Sequence, residues 1–254
     1  MLPAVPIAAA LFVGMLACLE LGRRLGRRRI AADPTGAMAG LGALDGAVFG
    51  LYGLLMAFTF SGAPARLDTR RQMIAQEANA IRTAWLRIDL LPADAQPELR
   101  RLFRAYLDAR IDATRGKNFE TARAEASRTE TLQQDIWSAA VAASRSSPNP
   151  ETRTLFLPSV NAMIDVTTTR LMLARSHPPK IVFALLFVLA LLCAALAGFG
   201  MAGSARRAWL HILSFAMITV VTVYTILDIE YPRTGLIRMD AYDQVMRELR
   251  SFMD

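Results

Sequence analysis

Four stretches of this chain, Met1 to Leu19, Gly46 to Ala65, Ile181 to Ala205 and Ala208 to Leu227, contain no Asp, Glu, Lys or Arg, and each approaches or exceeds the length of a bilayer crossing. A hydrocarbon core of about 30 Å takes roughly 20 helical residues to span. Backbone amides left unbonded in lipid are costly, so apolar runs of this length must be helices. The pattern predicts an all-α integral membrane protein with four transmembrane helices. It also predicts a helical extramembrane module between spans 2 and 3. The expected organisation is a transmembrane hairpin over 1–65, the module over 66–179, a second hairpin over 180–228 and a polar C-terminal segment over 229–254.

No basic residue precedes the first run and a positive cluster follows it, the reverse of a cleavable signal, so it is read as a retained span. Cys18 and Cys193 fall in different apolar spans, where a structural disulfide is not expected. The chain carries 29 Lys+Arg against 22 Asp+Glu. The excess collects in Arg23, Arg24, Arg27, Arg28 and Arg29 after span 1, and in Arg206 and Arg207 between spans 3 and 4. Short basic loops of this kind stay cytoplasmic. That places both termini and the long middle segment outside, which in a bacterial inner membrane is the periplasm. The plain reading of the first arginine cluster is an anchor for lipid headgroups, and no nucleic-acid partner is expected.

In the middle segment, Met73, Ile74, Ala78, Ile81, Trp85 and Ile88 recur at three- and four-residue steps. Span 2 is therefore expected to continue out of the membrane, kinked near Pro64. A second helix follows Leu91-Pro92, with Pro97 in its first turn and Leu99, Leu102, Phe103, Tyr106 and Leu107 on one stripe. A third carries Leu132, Ile136, Ala140 and Val141, with Ser127-x-x-Glu130 fitting a capping box at its start. Ser146-Ser147-Pro148-Asn149-Pro150 breaks the chain. A fourth helix places Leu155, Val160, Met163, Ile164, Thr167 and Leu171 on one side before His177-Pro178-Pro179 ends it. Trp85, Trp137 and Phe156 serve either the module's own core or contacts between subunits.

Chemistry is sparse. The two histidines, His177 and His211, assemble no metal cluster or catalytic triad, and His211 reads as an interfacial or packing residue. There is no phosphate-binding glycine loop, G-x-S-x-G or Cys-x-x-Cys, so neither an enzyme nor a cofactor is expected. Gly198, Gly200 and Gly203 lie in an apolar run, where close helix packing explains them.

Two polar constellations remain. Asp228, Glu230, Arg233 and Arg238 crowd the end of span 4. They either pair with one another or with an arginine of the module, fixing the junction, or contribute oxygens to a hard-cation site whose metal is not assigned. On a projection of about 100° per residue, Leu51, Leu55, Thr59, Gly62, Arg66, Met73 and Glu77 share a sector of roughly 80°. The sector passes from apolar to small and polar and then to cationic. That suits a pore with an apolar constriction and arginines, Arg66 and Arg70, that attract anions. It equally suits a helix packed on its neighbours as it leaves the bilayer. Glu77 and Asn79 form a possible polar site in the module, or simply cap and pair within it.

Phe49-Gly50-Leu51-Tyr52-Gly53-Leu54-Leu55-Met56-Ala57-Phe58-Thr59-Phe60-Ser61-Gly62-Ala63, Glu77-Ala78-Asn79-Ala80-Ile81 and Asp228-Ile229-Glu230-Tyr231-Pro232-Arg233, in that order, resemble the bacterial bestrophin-like domain family. The resemblance runs from span 2 to Arg238. Through the link to bestrophins it implies a homo-oligomer, a pentamer, with a central pore conducting small anions such as chloride and a neck lined by the second span. Carried onto this chain, the neck comprises Leu51, Leu55, Phe58 and Thr59. Asp228 and Glu230 take the place where animal bestrophins hold calcium, but no comparable acidic run is present, so calcium gating is not expected. Bestrophins keep their helical domain in the cytoplasm, opposite to what the basic loops imply here; either the loop reading fails or the architecture is inverted. The expected function is an oligomeric anion channel in contact with membrane lipids. The alternative is a non-conducting scaffold or sensor whose module binds a partner or lipid.

Overall fold

Helix is the only regular structure among the described residues of the computed structural model, which are 4–34, 41–115, 119–204, 207–231, 237 and 240–254. In chain order the helices are α1 (Ala4–Ala32), α2 (Leu41–Arg87), a 3₁₀ turn (Ile88–Leu90), α3 (Gln96–Arg115), α4 (Phe119–Ser146), α5 (Pro150–Arg175), α6 (Lys180–Gly200), α7 (Trp209–Glu230) and α8 (Asp240–Phe252). Four of them, α1, α2, α6 and α7, are long and apolar enough to cross a membrane. The chain divides into two compact units, Met1–Leu67 with His177–Arg238, and Asp68–Ser176 with Met239–Asp254.

In the first unit α1 packs against α6 and α7. The approach of α1 to α6 is close because glycines face backbone. A Cβ on Gly22 would lie 1.9 Å from the Ala195 carbonyl oxygen, and one on Gly198 would lie 2.0 Å from that of Leu19. Gly26 is similarly tight, 2.7 Å from the Phe199 carbonyl oxygen. Gly200, expected to act in the same way, has nothing within 4 Å, and Gly203 meets only Ile30 at 3.8 Å. Small residues at helix crossings in lipid bring backbones together, and dispersion then replaces the hydrophobic drive that lipid does not supply. Met15, Leu186, Cys193 and Ala216 are fully enclosed here, and both cysteines are free thiols.

The second unit buries one apolar core. Ile74, Ile81, Trp85 and Ile88 enter from the α2 extension, Leu99, Phe103, Tyr106 and Leu107 from α3, Ile136 and Ala140 from α4, and Phe156, Val160 and Met163 from α5. Each fully buried large side chain contributes about 1.5–3 kcal/mol. Trp85 and Phe156 are therefore core residues; only Trp137 of the three large aromatics is exposed, at 38 %. Leu155 and Leu171, expected on the α5 stripe, lie outside the core as exposed residues.

Local expectations meet the structure with different outcomes. The capping box is not one: α4 begins at Phe119, so Ser127 is in its interior, where its carbonyl accepts a hydrogen bond from Thr131 Oγ1 at 3.1 Å. The expected break at 146–150 separates α4 from α5, and there Asn149 Oδ1 accepts from Glu151 N at 2.9 Å while Pro150 opens α5. Span 2 continues past its apolar run in one helix, α2, with Pro64 inside it, and its 47 residues make a path of about 70 Å, more than twice a bilayer core. The C-terminal residues, expected as a segment apart, form α8, which packs on α3. Met246, Leu249 and Met253 join the core, and Arg250 Nε donates to Asp108 Oδ1 at 2.8 Å.

Candidate functional site

The spanning part of α2 is the least covered of the four candidate spans, with 6 % of its apolar window buried against 44 % for α7. One face turns inward: Tyr52, Thr59 and Ala63 are buried, and Phe49 meets Phe215 of α7 edge-on with ring centres 6.0 Å apart. Thr59 Oγ1 donates to the Leu55 carbonyl oxygen at 2.7 Å, so its hydroxyl is satisfied by its own helix. The four residues expected at a neck are thus divided. Leu51 and Phe58 are open, at 57 % and 69 % exposure, Leu55 is half-buried and Thr59 is inside. A third face carries Gly42, Gly46, Gly50 and Gly53, none of which has an atom within 4 Å of where a Cβ would sit.

At the C-terminal end of α7, Asp228 and Glu230 are buried to 3 % and 1 % exposure. Asp228 Oδ2 accepts from the Ile237 backbone N–H at 3.0 Å. Glu230 Oε1 is held by the Arg66 guanidinium, and its Oε2 lies 3.6 Å from His177 Nδ1. The His177 ring stacks on Tyr231 at 4.8 Å. Gly62 makes the room for Arg66, since a Cβ there would sit 2.8 Å from Nη1. The arginine expected to attract anions therefore shares its charge with a carboxylate. Arg70, expected beside it in that role, is buried and donates from Nη2 to the Ser176 carbonyl oxygen at 2.8 Å. Arg233 and Arg238 lie outside the described residues. No group of three or more His, Cys, Asp or Glu able to hold a metal occurs among the described residues.

The second unit encloses a polar network of its own around Glu77, which has no exposed surface. Arg110 donates to it twice, from Nε at 2.6 Å and from Nη2 at 3.2 Å, and Arg170 Nη1 also donates to Oε2. Thr167 Oγ1 lies 3.4 Å from Oε1 and 2.7 Å from the Tyr106 hydroxyl. Burial by itself raises the Glu77 carboxyl, but the two guanidiniums outweigh it and hold the group below its ordinary range. Asn79, its expected companion, is exposed.

The sequence matches the family model of the Bestrophin-like domain over residues 2–241. The chain belongs to the Bestrophin-like family. No curated protein matches it. A bacterial bestrophin homologue from Klebsiella pneumoniae, crystallised as a point mutant, is similar in fold, with a TM-score of 0.63 at 15 % identity. The match covers 94 % of this chain and 98 % of that one. Of the polar residues that this Bestrophin-like chain gathers, sequence reasoning had Glu77, Arg66, Asp228 and Glu230 in view. It missed His177 as a neighbour of Glu230, and Arg110, Arg170, Tyr106 and Thr167 as neighbours of Glu77. Nothing local marks these, because each pair joins segments far apart in the chain.

Proposed function

We propose that this chain is the subunit of a homo-oligomeric channel, a pentamer, that passes small anions such as chloride through a central pore lined by α2. The observation that carries this reading is the bareness of α2 within a single subunit. On a projection of about 100° per residue, Gly42, Gly46, Gly50 and Gly53 share a sector of roughly 80°, and Leu51, Leu55 and Phe58 a sector of about 60° on the opposite side. A helix in a ring around a pore needs two such faces: a small one, against which the next subunit's helix can close, and an apolar one towards the lumen. The family and the fold of the bacterial bestrophin homologue support the same reading. With Arg66 shared with Glu230, gating and selectivity fall chiefly to the neck of Leu51, Leu55 and Phe58, which opposes ions by dewetting. The charged helical unit lies outside the bilayer, and the short basic loops face the cytoplasm of a bacterial inner membrane.

The test is chloride flux from liposomes containing the purified protein beside a Leu55→Ala, Phe58→Ala double mutant. Flux that rises several-fold in the mutant is the expected result. Absence of flux from well-folded wild type, over a range of voltage and pH, would turn the reading to a non-conducting scaffold or sensor.

A further inference from the structure

In the first unit, a crevice of about 350 Å³ opens between α1, the end of α6 and the start of α7. One wall is apolar, from Leu16, Leu19, Met201 and Ile212. Among the described residues the other carries Arg23, Arg24 and Arg207 with one carboxylate, Glu20. Glu20 is bridged by Arg24 Nε at 2.9 Å and Arg207 Nη2 at 3.1 Å. Arg23 is different. It is only 6 % exposed, its Nη2 donates to the Ser204 carbonyl oxygen at 3.0 Å, and its Nε–H is buried without a hydrogen-bond partner among the described residues. A guanidinium kept at this depth with a donor unspent is costly unless an acceptor from outside completes it. α7 also starts at the crevice, and its N-cap residue, Ala208, makes no side-chain cap hydrogen bond, so the positive end of the helix dipole lies there. Arg207 lies over the ring of Trp209, 5.4 Å from its centre, and Trp209 is itself half exposed, as aromatic residues at a headgroup boundary are.

We propose that this crevice binds the phosphate headgroup of an anionic phospholipid, with Arg23 and Arg207 as donors and the apolar wall against the first carbons of the acyl chains. Phosphate oxygens match the guanidinium fork, and basic pockets between membrane helices on the cytoplasmic side suit lipid headgroups. A lipid is chosen over free phosphate because Leu16, Leu19, Met201 and Ile212 would stay wetted beside an inorganic ion.

The experiment is thermal unfolding of the full chain in non-ionic detergent, with native mass spectrometry of bound lipid, against dioctanoyl phosphatidylglycerol, dioctanoyl phosphatidylcholine and sodium phosphate. Phosphatidylglycerol is expected to raise Tm in a concentration-dependent way, and the other two to leave it unchanged. Arg23→Gln should weaken the apparent affinity about tenfold, the loss of one charge-assisted hydrogen bond. Because Arg23 is buried and its replacement also acts on folding, Arg207→Gln, at the exposed rim, is run beside it and should weaken binding in the same direction. Glu20→Gln, which removes the competing carboxylate, should tighten it. Equal shifts with phosphatidylcholine, equal shifts in all variants, or a shift reproduced by sodium phosphate would each overturn the proposal.

Discussion

Glu77 concentrates most of the electrostatic risk in the second unit, because one fully buried carboxylate compensates two enclosed guanidiniums. Glu77→Gln keeps the shape and removes the charge. It should cost about 3–5 kcal/mol, the usual penalty for breaking a buried pair from one side, read as a lower denaturation midpoint of the detergent-solubilised protein. The pH dependence follows from the depressed carboxyl. Its contribution is complete above the unfolded value of 4.5 and is lost as pH falls through the lower folded one. Wild type should therefore lose stability below pH 4.5 more steeply than Glu77→Gln does; parallel curves would mean the network carries no linked proton. The sequence singled out Glu77 together with Asn79. Two residues apart on a helix, they point about 200° apart, so one is enclosed and the other is in solvent. The arginines that complete the network could not be picked from 29 Lys+Arg by composition or period.

Among the elements, the crossing of α1 and α6 has the least slack. Gly198→Val would drive a side chain into the Leu19 backbone, where a Cβ alone would be 2.0 Å from the carbonyl oxygen. The helices must separate, at a cost of at least the 1–3 kcal/mol typical of overpacking, seen as a marked drop in Tm or loss of folded protein. Gly200→Ala, at the far end of α6 with open space at its Cβ, should be neutral or gain up to about 1 kcal/mol of helix propensity. A Gly198→Val protein as stable as wild type would mean the crossing adapts. The periods of the apolar stripes made most elements legible: the α2 extension, α3 and the breaks before α5 and α6 lie where residue patterns put them. Gly22 and Gly26 were not recognised as packing residues because they are interleaved with arginines and read as part of a headgroup anchor. The start of α4 was misread because Ser127-x-x-Glu130 is also an ordinary exposed face inside a helix.

For the whole molecule, the open glycine face of α2 makes assembly the decisive property. The purified protein in mild detergent should run as a higher oligomer by light scattering, and Gly50→Leu should shift it towards monomer, since a large side chain on that face holds a neighbouring helix away. A monomeric wild type would remove the central pore. The sequence by itself determined the class of the protein and much of its plan: uncharged runs long enough to cross a bilayer can only be helices there, and short-range periodicity reports which face of each helix is apolar. It also carried the family, whose motifs are local words in the chain. Only the tertiary structure decided that Arg66 and Glu230 neutralise each other, that Glu77 is held by Arg110 and Arg170, and that α8 closes the second unit's core. These depend on which distant segments meet, and a side chain's charge or period does not encode its partner.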